Sequence, residues 1–387
     1  MVEVIAVGAS AAVIAGVVTY IMVPVVVRLA PALHALDEPG GRKLHGGAVP
    51  RIGGVAVACG LLFGAGAMAL VKWHDWGSRV PRTDLFALLA GIGLVFLVGI
   101  VDDLVGVSVV NKFVIETAAA SLLVANGWRF AVIAGPFRHE YELGVLSAVI
   151  SLIWIVGVTN AINLIDGLDG LASGVIAIIA GSFGVYALMQ HNYFTVILMG
   201  GVLGACLGFL RHNWEPAKIF LGDSGSLTLG YLLAVTSVHS SIKASAAVAI
   251  LVPILALGVP VIDTLLVMVL RFLERPKSHL AERLLGMFHA DRNHLHHLLE
   301  AWRGSHAKVV RAIYALVVVS CAGALFVAVT KRWIVAITIA IVELAVVLLV
   351  RRAGLAARTR AITATKRTEV RDRIRDSSGE MPILPQR

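Results

Sequence analysis

The chain runs apolar for about twenty residues at a time, over and over, and a run of that length carries an α-helix across the hydrocarbon of a bilayer. Eleven such runs can be drawn, at residues 4–28, 52–71, 85–101, 112–126, 145–160, 170–190, 194–210, 225–241, 246–272, 308–329 and 333–350. The eighth and ninth are the least sharply divided. Strands of a soluble sheet are too short to repeat at this length, and a membrane barrel would alternate polar and apolar residues, which this chain does not do. Hydrophobic residues at 58% against 15% charged exclude an ordinary soluble domain. The expected fold is all-α: a polytopic integral membrane protein of about 11 transmembrane helices. Met1-Val2-Glu3 lacks the basic flank of a cleaved signal peptide, so the first run is expected to stay as the first span.

Charge sets the expected orientation. Residues 29–51, 102–111, 161–169, 211–224 and 273–307, together with the tail from Arg351, fall on one side of such a bundle and hold most of the arginine and lysine. By the positive-inside bias that side is cytoplasmic, with the N-terminus outside and the C-terminus inside. The formal net charge of +9 is explained by this placement without invoking nucleic acid. Residues 1–350 read as one membrane domain in the plasma (inner) membrane, and residues 351–387 as a charged, mobile cytoplasmic tail whose arginines can rest on anionic lipid. Cys59, Cys206 and Cys321 sit singly in separate apolar runs and read as small buried hydrophobes.

Counting spans brings the acids together. Asp102 with Asp103, Asp166 with Asp169, and Asp223 are separated by even numbers of spans, so all five carboxylates are expected at one face. In Asn160-Ala161-Ile162-Asn163-Leu164-Ile165-Asp166-Gly167-Leu168-Asp169-Gly170, continued helix would put Asn160, Asn163, Asp166 and Asp169 on one stripe able to hold a cation. A polar hairpin between two spans is the plainer alternative. The adjacent acids Asp102 and Asp103 need a cation nearby, and Lys112 is close in sequence. Gly222-Asp223-Ser224-Gly225 opens the eighth span. Asp223 or Ser224 can cap that helix there, or the helix amides can face a phosphate bound with metal.

Lys43, His45 and Arg51 in the first loop suit a diphosphate clamp, or serve only as positive-inside charge. Arg292, His294, His296 and His297 lie in the longest loop. Phosphate contact is favoured there over zinc, because no cysteine is near. Asp263, two turns inside the ninth span, is expected to orient a catalytic base or to neutralise Arg271. Carboxylates, amides, glycines and basic loops at one membrane face suit magnesium-assisted phosphoryl transfer. An ion-coupled transporter is the reading from another class; it predicts acids at mid-membrane and on both faces, with internal repeats, whereas here the acids cluster at one face and no repeat is seen.

Across roughly residues 37–300 these motifs, in this order, resemble the polyprenyl-phosphate N-acetylhexosamine-1-phosphate transferases. The resemblance implies transfer of a sugar 1-phosphate from a UDP-amino sugar to undecaprenyl phosphate, with release of UMP. It implies Mg2+, with Mn2+ as the alternative metal. By position, Asp102 and Asp103 match the pair that engages or deprotonates the lipid phosphate, and Asn163 and Asp223 match magnesium ligands. Asp166 and Asp169 match the sugar-nucleotide pocket, and Lys43, His45, Arg51 and Lys112 the basic groups near the phosphates. His294, His296 and His297 match the histidine motif. One departure is Gly106, which stands where members often carry a third acid, so metal is expected at Asn163 with Asp223 rather than at the aspartate pair. The form of residues 291–297 resembles the branch that uses N-acetylglucosamine; the phospho-MurNAc-pentapeptide transferases of peptidoglycan synthesis are the alternative. Partners implied are the UDP-sugar, the polyprenyl phosphate and membrane lipid, with a homodimer admitted.

Overall fold

A computed structural model of the chain describes residues 1–37, 48–72, 81–134, 140–243, 251–274, 295, 298–299 and 305–377. The predicted runs fall on helices whose ends differ from them by a few residues: α1 Val2–Leu29, α2 Gly53–Val71, α3 Arg82–Val105, α4 Val109–Ala125, α5 Leu146–Leu164 and α6 Leu171–Met189. There follow α7 Tyr193–Asn213, α8 Gly222–Lys243, α9 Leu251–Ala256, α10 Gly258–Glu274, α11 His306–Thr330 and α12 Trp333–Ser377. Eight of these are long and apolar enough to cross a membrane: α1, α2, α3, α5, α6, α7, α11 and the first part of α12. Two short antiparallel pairs interrupt the all-α plan, Leu36–Asp37 with Val49–Pro50 and Val132–Ala134 with Glu140–Glu142.

The helix most deeply enclosed is among the least apolar. α8 packs against α2, α3, α5 and α6, and Ser224, Ser226, Thr228, Thr236, Ser237, Ser240 and Ser241 are all buried along it. Several of these hydroxyls are satisfied by the carbonyl one turn back, as in Thr228 Oγ1 to Ser224 O at 2.7 Å and Ser241 Oγ to Ser237 O at 2.8 Å. Others receive or make bonds across helices: Trp154 Nε1 donates to Ser237 Oγ at 2.8 Å, and Tyr231 Oη donates to Ala119 O at 2.9 Å. Ringed by other helices, α8 needs small polar contacts more than a lipid-facing surface.

α1 and α7 meet through small residues. Gly200, Gly204 and Gly208 face Gly8, Ala12 and Gly16 so closely that a Cβ on Gly204 would collide with the Ala12 carbonyl oxygen.

One sequence expectation needs correction. The single ninth span is two helices, α9 and α10, parted at Leu257. Pro260 has no N–H for the Ala256 carbonyl one turn back, and Cys321 Sγ lies 3.8 Å from that oxygen as a substitute donor. At the start of the tail, Arg351 is buried, and α12 continues to Ser377.

Candidate active site

Four helix ends supply the polar cluster. α3 closes on Asp102 and Asp103 because Gly106, at φ +79°, turns the chain out of the helix. The turn brings Val107 N to 2.6 Å from Asp102 Oδ1. Ser108 then caps α4, its Oγ accepting from Asn111 N at 3.3 Å, and Lys112 follows in the first turn. Position 106 thus carries a left-handed glycine where a third acid would have been strained.

Lys112 Nζ bridges two carboxylates, 2.8 Å from Asp102 Oδ2 and 2.6 Å from Asp223 Oδ2. Asn163 Nδ2 donates to Asp223 Oδ1 at 3.1 Å and to Ser226 Oγ at 2.8 Å. Asp103 is turned the other way. It is buried, and its two oxygens accept the backbone N–H groups of Asp223 at 2.8 Å and Ser224 at 3.0 Å. The repulsion expected between adjacent acids is resolved by splitting their duties: Asp102 meets an ammonium, and Asp103 meets the positive end of the α8 dipole. The cap of α8 therefore comes from α3, not from Asp223 or Ser224. Those two amides are occupied, so they do not face a phosphate. Gly222, at φ +71°, makes the approach possible, since a Cβ there would strike the Arg51 carbonyl and the Asp103 carboxylate.

The predicted stripe from Asn160 to Asp169 breaks in the middle. α5 ends at Leu164, and Asp166 and Asp169 lie in the turn before α6, where Gly170 takes φ +76°. A spacing of three fits a turn as readily as a helix once glycines enter. Asp169 Oδ2 accepts from Ala217 N at 2.9 Å, fastening this turn to the segment before α8. Asn213 fastens it again, accepting from Gly170 N at 3.1 Å and donating to Ile219 O at 2.9 Å. Asp166 is only partly exposed. Burial, and then the carboxylates of Asp223, Asp103 and Asp169, push its carboxyl up to about 8.

Glu116 was not anticipated. It is buried one turn beyond Lys112, with Oε2 accepting from Asn160 Nδ2 and Oε1 lacking a hydrogen-bond partner. The spacing from Lys112 was the signal available, because residues four apart share a helix face. Asn160 thus reaches α4, while Asn163 reaches α8.

Arg51 is half-buried at the edge of the cluster, and its Nε has no hydrogen-bond partner. Asp263 is away from the bridge. Its Oδ1 accepts from Leu295 N at 2.9 Å and lies 3.7 Å from a guanidinium nitrogen of Arg351. It therefore anchors Leu295. Lys43, His45, Arg292, His294, His296 and His297 themselves lie outside the described residues.

Among the described residues, no three or more His, Cys, Asp or Glu side chains converge on one point. A metal here would draw on few protein oxygens. Asp223 and the amide oxygen of Asn163, whose two bonds are both made by Nδ2, form such a sparse set. Magnesium, which keeps waters and takes phosphate oxygens, suits it.

Comparison with known proteins places the chain in a family. Glycosyl transferase family 4 matches residues 85–241, the stretch that holds Asp102, Lys112, Asn163 and Asp223. The probable undecaprenyl-phosphate N-acetylglucosaminyl 1-phosphate transferase of Bacillus subtilis is 33% identical over 297 residues, 76% of this chain and 78% of that one. The decaprenyl-phosphate N-acetylglucosaminephosphotransferase of Mycobacterium tuberculosis is 33% identical over 334 residues, 80% of each chain. The phospho-N-acetylmuramoyl-pentapeptide-transferase of Streptococcus equi subsp. zooepidemicus is 34% identical over a shorter 253 residues, 59% of this chain and 71% of its own.

Proposed function

Since the chain belongs to glycosyl transferase family 4, among the polyprenyl-phosphate amino-sugar-phosphate transferases, we propose that the Asp102, Lys112 and Asp223 bridge is where its phosphates meet. The protein is a membrane transferase that moves N-acetylglucosamine 1-phosphate from its UDP carrier to undecaprenyl phosphate. The longer match to the N-acetylglucosamine enzymes than to the pentapeptide enzyme favours that sugar.

The observation that carries the reading is Lys112 held between two acids from distant helices. An ammonium so placed attracts a phosphate once the acids are engaged elsewhere. Asp102 faces the bridge, whereas Asp103 is spent on α8, so Asp102 orients the acceptor phosphate or takes its proton. An oxygen of the acceptor phosphate bonds to the β-phosphorus of the UDP-sugar. The bond from that phosphorus to the bridging oxygen breaks, and UMP leaves with the bridging oxygen and its electron pair. Asn163 and Asp223 would hold the magnesium, which when bound would supply positive charge to the phosphoryl oxygens. Asp103 keeps Asp223 in place by fixing the start of α8.

Eleven spans, with the N-terminus outside and the C-terminus in the cytoplasm, put this cluster at the cytoplasmic face of the plasma membrane, as the arginine and lysine distribution favours. The test is direct. Purified protein given UDP-N-acetylglucosamine, undecaprenyl phosphate and magnesium releases UMP, and chelator abolishes the release. No UMP from this or any other UDP-amino sugar would refute the reading. Exchange of labelled UMP into UDP-sugar without acceptor would replace direct attack by a covalent route.

A further inference from the structure

We propose that Arg351 of α12 is a positioning residue for the sugar-nucleotide side of the site. Its charge fixes Asp263, Asp263 fixes Leu295, and Leu295 packs behind the turn that carries Asp166 and Asp169. The inference rests on the transferase reading, in which that turn meets the UDP-sugar.

Arg351 is 5% exposed and Asp263 2%. A guanidinium buried that deeply needs an opposite charge, and losing either partner leaves the other uncompensated. Asp263 Oδ1 lies 3.7 Å from Arg351 Nη1. Nη1 and Nε find no hydrogen-bond partner among the described residues, so Arg351 supplies charge at Asp263 rather than a directed fork. The same Oδ1 accepts from Leu295 N at 2.9 Å. One carboxylate oxygen thus joins α10, α12 and Leu295.

A second contact makes the same join without charge. Gly354, three residues on along α12, lies so close to Leu298 that a Cβ there would sit 2.7 Å from the Leu298 Cβ and from its carbonyl oxygen. Leu295, Leu298 and Leu299 are all buried and stand at the spacing of one helix face. α12 therefore grips these residues twice, electrostatically at Arg351 and by close packing at Gly354.

The grip reaches the site from behind. A cavity of about 20 Å³ is lined by Leu295 and Asp263 together with Ile165 and Leu171. Ile165 precedes Asp166 and Leu171 follows Gly170, so the two flank the turn of Asp166 and Asp169. A space that small holds about one water, and side chains packed around it pass a displacement on to their neighbours. A shift of Leu295 is therefore felt at both ends of the turn.

Arg351→Gln should raise KM for UDP-N-acetylglucosamine roughly tenfold and leave KM for undecaprenyl phosphate in place. Arg351→Lys keeps the charge and should restore most of the wild-type value, and Arg352→Gln, at the exposed next position, should match wild type. Asp263→Asn should raise the same KM, and adding Arg351→Gln should raise it no further, because Arg351 acts through Asp263. Gly354→Ala should raise it without touching a charge. Four results each overturn the inference: an unchanged nucleotide KM in Arg351→Gln, an equal rise in both KM values, an equal effect of Arg352→Gln, or fully additive losses with Asp263→Asn. UMP release by wild type tests the transferase reading separately.

A second readout needs no turnover. Hydrogen exchange at the Leu295 amide should be several-fold faster in Arg351→Gln and in Gly354→Ala than in wild type, with α1 unchanged. Exchange at the wild-type rate overturns the inference. So does acceleration throughout the chain, since Arg351 would then support the fold as a whole and not this junction.

Discussion

Lys112 and the acids around it illustrate how single residues are tuned by neighbours the chain brings from far away. Asp166 has its carboxyl at about 8 against an ordinary 3.8, so the folded protein holds a proton there that the unfolded chain gives up. That contribution to stability is complete below pH 3.8 and is lost as the pH rises through about 8. In chelator, the melting temperature of wild type should fall across this window more steeply than that of Asp166→Asn, whose amide has no proton to lose. Parallel melting curves would contradict the shift. Glu116 and Asn160 are predicted to work as a unit, because each is the other's partner between α4 and α5. Glu116→Gln and Asn160→Ala should each slow UMP release about tenfold, and the double variant should be no slower than the worse single one. Fully additive losses would mean that the two act separately.

Helix ends carry the chemistry, and helix sides carry the packing. The start of α8 is held by the Asp103 carboxylate of α3 and by the backbone of residues 50–54: Gly53 N donates to Phe220 O at 3.0 Å and Gly54 N to Leu221 O at 2.8 Å. Glycines at 53, 54, 99 and 222 leave room for that crossing. The same device joins α1 to α7, where Gly204→Ala drives a methyl group into the Ala12 carbonyl. The helices must then part, at a cost of about 1–3 kcal/mol or more. Thermal melting in detergent should show a drop of several degrees for Gly204→Ala, and an unchanged midpoint would mean that the two helices slide apart freely. The apolar runs were legible from their length, including the weakly divided eighth, since burial of backbone polar groups in lipid leaves helix as the solution. Less legible was where each helix stops. The tail from Arg351 looked like solvated charge, yet Arg351 lies against Asp263 and α12 runs on to Ser377. At α5 the spacing of Asn160, Asn163, Asp166 and Asp169 suited a longer helix than the glycines that follow permit.

On the scale of the whole molecule, the bundle gathers the polar ends of α3, α4, α5 and α8 into one cluster. Cysteines introduced at Ser108, between α3 and α4, and at Ala217, before α8, should therefore react with an impermeant maleimide from the same side of sealed vesicles, the cytoplasmic one. Labelling from opposite sides would break the count of spans on which the orientation rests. Parity of the apolar runs predicted that Asp102, Asp103 and Asp223 share a face; in the fold Lys112 joins Asp102 to Asp223, and the Asp103 carboxylate accepts from the Asp223 amide. Run length and charge placement were enough to commit the chain to a bundle of membrane helices with its acids at one end, because both are local properties that any stretch of sequence displays. Choice of partner was not local. Lys112 finds Asp223 across 111 positions, the Asp223 amide finds Asp103 across 120, and Asn160 finds Glu116 across 44. Contacts that distant depend on how the helices pack, so only the folded molecule could assign Asp103 to the α8 amides, Asp102 to the ammonium and Glu116 to the site.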